Sequence, residues 1–159
     1  MIIVRCLYEI EIINPYYLCE CRTEEVRLIA LMILSQLSTE KEAKDLLDEG
    51  ARSLLVGYLG KSVRNELPTD GSKWAATRRT SVIRTLEKMI TSDDRAVASL
   101  LKLDILAFLG KALSGPVEYS VYKTEELRAT LTCLWTISHD ADALQLIVRN
   151  ASLVKGLPK

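Results

Sequence analysis

The chain has 159 residues, balances 21 basic against 21 acidic side chains, and is 48% hydrophobic. These proportions exclude wholesale disorder, a collagen-like repeat and a disulfide-built miniprotein, leaving one domain with a real core or a few stacked repeat units. A net charge of zero argues against nucleic acid as the main partner, because phosphate binding needs a net basic surface.

The first stretch, Met1 to Leu18, is apolar but is interrupted by Arg5, Glu9, Glu11 and Pro15. It has no basic leader before the apolar run, so it reads as neither a signal peptide nor a membrane span. The four cysteines, Cys6, Cys19, Cys21 and Cys133, lack a second pair at zinc-ligand spacing and suit buried reduced thiols. The sequon at Asn150-Ala151-Ser152 would matter only in a secreted protein. The expectation is a soluble, cytoplasmic chain with no metal and no cofactor.

From residue 23 the chain repeats itself. In the unit 23–60, Val26, Ala30, Ile33, Leu34 and Leu37 recur three and four residues apart, which predicts one apolar face of a helix. Ser38-Thr39-Glu40 breaks the pattern and can cap a short helix over Lys41 to Leu47. Gly50 is expected to end that helix, and Ala51 to Leu59 supplies Leu54, Leu55, Tyr58 and Leu59 for a third.

A connection over 61–77 precedes the second unit, 78–115. There Ile83, Leu86 and Ile90 carry the stripe and Thr91-Ser92-Asp93-Asp94 the break. Ala96 to Leu101 forms the short helix, and Ile105, Phe108, Leu109 and Leu113 the last one. After a second connection, 116–124, the third unit covers 125–159. It runs through Leu127, Leu131, Leu134 and Ile137, breaks at Ser138-His139-Asp140, and continues over Ala143 to Val148 into Leu153, Val154 and Leu157. Leu37, Ile90 and Ile137 correspond, giving steps of 53 and 47 residues. No run of strand period survives, so the fold class is all-α.

Leu34-Ser35-Gln36-Leu37-Ser38, followed by a charged break, a short helix and Glu49-Gly50-Ala51 before Leu54-Leu55, resembles the armadillo repeat. Leu134-Trp135-Thr136-Ile137-Ser138 with Asn150-Ala151-Ser152-Leu153-Val154 is similar to it as well, whereas the second unit has Asp104-Ile105 where Gly-Ala usually stands. The resemblance spans about residues 23–159 and reaches the related HEAT units, which differ by about one helix. It implies an armadillo-like α-solenoid, a right-handed superhelix of stacked three-helix repeats in which each unit buries its apolar faces on its neighbours. Residues 1–22 then read as part of a preceding repeat or a cap. The last helix stops at Leu157-Pro158-Lys159, so a piece of a longer protein is expected.

The seven glycines never form a phosphate-binding loop, and a Ser or Cys nucleophile would need His139, which follows a helix among Asp140 and Asp142. The acidic pairs Glu24-Glu25, Asp93-Asp94 and Glu125-Glu126 are expected to open helices or fill turns. The chain is therefore read as a non-enzyme with no small-molecule substrate.

In the armadillo family an Ala-Leu-x-Asn-Leu helix lines the concave groove and its Asn holds an extended peptide. By position that Asn becomes Gln36, Met89 and Thr136, and the groove tryptophan of importin-alpha-like proteins becomes Met32, Thr85 and Thr132, so that ladder is absent. Trp135 falls beside the Asn position and is expected to be packed core. Arg84 and Lys88, near Arg78 and Arg79, could anchor an acidic or extended segment of a partner protein. Gln36, Arg84, Lys88, Met89 and Thr136 are the expected partner-binding residues. Arg78-Arg79-Thr80-Ser81 also resembles a basophilic kinase site, with Ser81 as acceptor. The function this implies is a protein–protein interaction scaffold. The alternative is a regulatory module restraining an attached effector domain, such as a TIR or ubiquitin-ligase module, in a longer signalling protein.

Overall fold

A computed structural model describes residues 24–67, 72–93, 95–114, 121–150 and Leu153. Segment 1–22, three of the four cysteines, all four prolines, the sequon beyond Asn150, and Val154 and Leu157 of the expected last helix lie outside the described residues. The described residues form eight helices with no strand among them: α1 (Glu24–Leu37), α2 (Glu40–Leu46), α3 (Glu49–Val63), α4 (Ser72–Ser92), α5 (Ala96–Lys102), α6 (Ile105–Ser114), α7 (Val121–Ile137) and α8 (Ala141–Arg149).

The breaks fall at side chains that cap. Thr39 and Glu42 form a reciprocal capping box at the start of α2, with the Thr39 N–H donating to the Glu42 carboxylate at 2.8 Å. These bonds hold the Glu42 carboxyl below its ordinary value. Asp48 accepts the Ala51 N–H and starts α3, and Asp140 accepts the Ala143 N–H and starts α8.

The Asp48 cap revises one expectation. Gly50 does not end the short helix, which stops at Leu46; it lies inside the first turn of α3 because Asp48 opens that helix before it. The first connection also shrinks at both ends and the second at its C-terminal end. α3 runs on to Val63 and α4 starts at Ser72, within the expected 61–77 loop, while α7 starts at Val121, within the expected 116–124 loop. The early turns of α4 hold because tertiary contacts take up its side chains: Ala76 and Thr80 are buried and Arg79 reaches α7.

Helices of like position in the units touch. α1 packs on α4, α4 on α7, α3 on α6 and α5 on α8, and α4 with α7 is the most extensive of these pairs. One core runs through them, with Leu28, Leu55, Leu59, Ile83, Leu86, Leu100, Ile105, Leu109 and Ile137 all buried. At about 25 cal/mol per Å2 of apolar surface removed from water, these side chains dominate the stabilisation. Gly60 of α3 sits against Phe108 of α6, and a β-carbon there would come within 2.9 Å of the Phe108 ring.

Charges join the units inside this core. Glu126 of α7 has 1% of its side chain exposed and accepts from both Arg79 of α4 and, at 3.1 Å, Lys123. Arg79 also donates to Ser62 of α3 at 3.3 Å, and Lys123 to the Ala112 carbonyl of α6 at 3.2 Å. The pair Glu125-Glu126 therefore does not open a helix; it lies in the second turn of α7, and Glu126 is a buried tie between units. Asp93, just past α4, takes the Arg52 guanidinium of α3 at 2.8 Å. Burial pushes its carboxyl up, but the Arg95 N–H together with Lys44 and Arg52 outweighs that and holds it below its ordinary value.

The apolar face expected on α1 exists but does not face inward as a whole. Leu28, Met32, Leu34 and Ser35 are buried, whereas Val26, Ile29, Ile33 and Leu37 are between 42% and 53% exposed. α1 is apolar on more than one side, and the side chosen for burial is the one where Ser35 meets Thr85 of α4 at 3.2 Å.

Candidate partner-binding face

α1, α4 and α7 lie side by side, and two sets of polar contacts fix them. Between α1 and α4, the Ser35–Thr85 contact is followed three residues further along both segments by Lys88 Nζ donating to the Ser38 carbonyl at 2.6 Å. The two helices therefore run in the same direction. Between α4 and α7, Arg84 meets Glu125 at 2.7 Å, alongside the buried Arg79–Glu126 pair.

Helix geometry then sorts the expected site residues, at about 100° per residue. Leu86 points into the core, so Arg84 and Lys88, two positions away on either side, point about 160° from it and onto the outer face. Arg84 is exposed and Lys88 half-buried. Gln36 is exposed on α1, and Thr136 is half-buried on α7. Met89 is a correction: it is 1% exposed, because a position three after Leu86 returns to the core side of α4. Four of the five residues are thus on the surface and one is core.

The two cations are already engaged. Arg84 shares Glu125 with Arg128, whose guanidinium lies 4.0 Å away, so two exposed cations face one carboxylate. Exposed pairs of this kind contribute about 0–1 kcal/mol and leave most guanidinium donors open to other acceptors. Lys88 satisfies a carbonyl at the C-terminal end of α1, where a positive charge also complements the helix dipole. Arg79, grouped with them in the sequence, belongs to the interior.

Two further features of this region were not legible as site residues. Trp135 is 66% exposed rather than packed core, standing edge-on to His139 with ring centroids 4.3 Å apart. It lies nine residues past Glu126, about half a turn from the side that meets α4. The only sequence signal was an aromatic inside a Leu-x-Thr-Ile helix ending, which suits either side. Glu125 is the second, since its role depends on Arg84, 41 residues away.

Thr132 and Thr136 donate back to carbonyls one turn earlier in α7, so the hydroxyls retain accepting lone pairs for a ligand. Ser81 is half-buried and donates to the Thr77 carbonyl. Burial pushes the Cys133 thiol well above its ordinary value, with the Glu87 charge adding to it, so this cysteine is no nucleophile at neutral pH. His139 is exposed at the end of α7, with Nδ1 3.0 Å from the Trp135 carbonyl. Among the described residues, no group of three His, Cys, Asp or Glu side chains is placed to hold a metal ion, and no helix is long and apolar enough to cross a membrane. No family model matches this sequence, and no significant match to a curated protein or a solved structure is found.

Proposed function

We propose that these helices form a short armadillo-like solenoid that works as a non-enzymatic protein-interaction module, with a partner segment lying along the α1/α4/α7 face. The stacking of like helices on like, α1–α4–α7 in one row and α3–α6 in another, supports the repeat architecture. The observation that carries the binding site is the convergence of Arg84 and Arg128 on the single carboxylate of Glu125. Surplus positive charge there, beside Gln36, Lys88, Thr132 and Thr136, suits an extended segment bearing carboxylates.

Fluorescence anisotropy with a panel of labelled acidic 12-residue peptides tests this reading. At least one peptide should bind. Its affinity should fall about three- to tenfold in Arg84→Gln, the loss of one exposed charge-assisted contact, and fall again with added salt. A panel that does not bind, or binding indifferent to Arg84→Gln in a variant of unchanged helicity, would show that this face does not recognise acidic segments.

A further inference from the structure

We propose that Glu87 sets the specificity of this face by taking a basic side chain of the partner segment, so that the segment carries a basic residue beside the acidic one held at Arg84. This rests on the reading that the α1/α4/α7 face binds an acidic segment.

The first argument is position. Leu86 points into the core, and Thr85 points towards α1 through its contact with Ser35. Glu87 lies about 100° from Leu86 in the opposite sense and about 60° short of Arg84. It therefore stands at the edge of the outer face where α4 meets α7, half-buried, with its charge raising the Cys133 thiol of α7.

The second argument is pairing. Arg79, Arg84 and Lys88 of α4 and every charged residue of α7 hold a hydrogen bond or an ion pair. Glu87 has neither among the described residues, and burial leaves its carboxyl above the ordinary value even with the Arg84 charge nearby. The ionised carboxylate is thus partly stripped of water with nothing put in its place, a cost that an arriving ammonium or guanidinium relieves through charge-assisted bonds. A second carboxylate at this point would be repelled.

Reach is the third. Side chains three apart on a helix have β-carbons about 5–6 Å apart. Alternate residues of an extended segment are about 6–7 Å apart, so one acidic and one basic residue two positions apart span Arg84 and Glu87 together.

Paired peptides test the assignment. Two panels of labelled 12-residue peptides share the same acidic residues; one places Arg two positions before or after the central Asp, and the other places Gln there. By fluorescence anisotropy at pH 7, the best Arg member should bind about three- to tenfold more tightly than its Gln twin. Glu87→Gln, of nearly the same shape, should erase that gain and leave the Gln twin binding at least as well as before. The charged and titratable groups beside Glu87 are Arg84 and Lys88 of α4 and Glu125 and Cys133 of α7. As pH falls from 7 towards about 4, Glu87 takes up its proton, so the Arg gain should shrink in the natural chain and stay absent in Glu87→Gln. Twins of equal affinity in the natural chain, or a gain that survives Glu87→Gln, overturn this inference alone when the peptides still weaken in Arg84→Gln. Binding by neither panel overturns it together with the acidic-segment reading.

Discussion

Glu126 is the most informative residue to change, because its carboxylate holds two largely buried cations from one position. Its own side chain is 1% exposed, while those of Arg79 and Lys123 are 16% and 19% exposed. Glu126→Ala removes the counter-charge and leaves both cations facing low-dielectric surroundings. Breaking a buried pair in this way costs about 3–5 kcal/mol, against a total stability of about 5–15 kcal/mol for a domain. For this chain length, roughly 2–4 °C of melting temperature per kcal/mol translates that into a drop of roughly 6–20 °C. Urea titration followed by far-UV circular dichroism measures the loss directly. The triple variant Arg79→Met, Lys123→Met, Glu126→Leu supplies the contrast, since replacing every charge with apolar volume is often neutral or stabilising. It should lie within about 1 kcal/mol of the natural chain. A loss under about 1 kcal/mol for Glu126→Ala, or a triple variant no better than the single one, would mean that this cluster does not tie α4 to α7.

Other changes test local arguments. Burial raises the Glu87 carboxyl above its ordinary value, with Arg84 pulling the other way. A carboxyl that holds its proton more tightly in the folded state loses stability as pH rises through that window. Glu87→Gln should therefore melt higher than the natural chain at pH 7 and equal it below about pH 4, and equal melting at pH 7 would contradict the assignment. Thr39→Ala opens the capping box of α2 and should cost about 1 kcal/mol in the same urea titration; no change would mean that packing alone sets the α2 start. Asp104 has φ 59°, in the left-handed region that favours glycine, so Asp104→Gly should stabilise by about 0.5–1 kcal/mol, and a lower melting temperature would show that the side chain contributes more than the backbone loses.

Much of the helical framework was legible because its causes are local. The 3.6-residue spacing of Ile83, Leu86 and Ile90 and the polar breaks at Thr39 and Asp140 lie within a few residues of what they control. Helix ends were less legible. α4 begins before Arg78 because Arg79 pairs with Glu126 far along the chain and Ala76 is buried, which no local pattern encodes.

The candidate face was legible in part for the same reason. Gln36 and Arg84 reach the surface as expected, but Met89 turns into the core and Trp135 out of it. A helix apolar on several sides, such as α1 or the end of α7, offers more than one side for burial, and the neighbour that docks decides between them. Arg84 and Lys88 read as free anchors until Glu125 and the Ser38 carbonyl, 41 and 50 residues away, are brought beside them. Periodicity along the chain thus settles that these segments are helices and where several of them break. Which side of each helix is covered, and which charges are already spent on one another, is settled only by contacts between residues 40 to 50 apart, because burial and pairing are properties of neighbours in space.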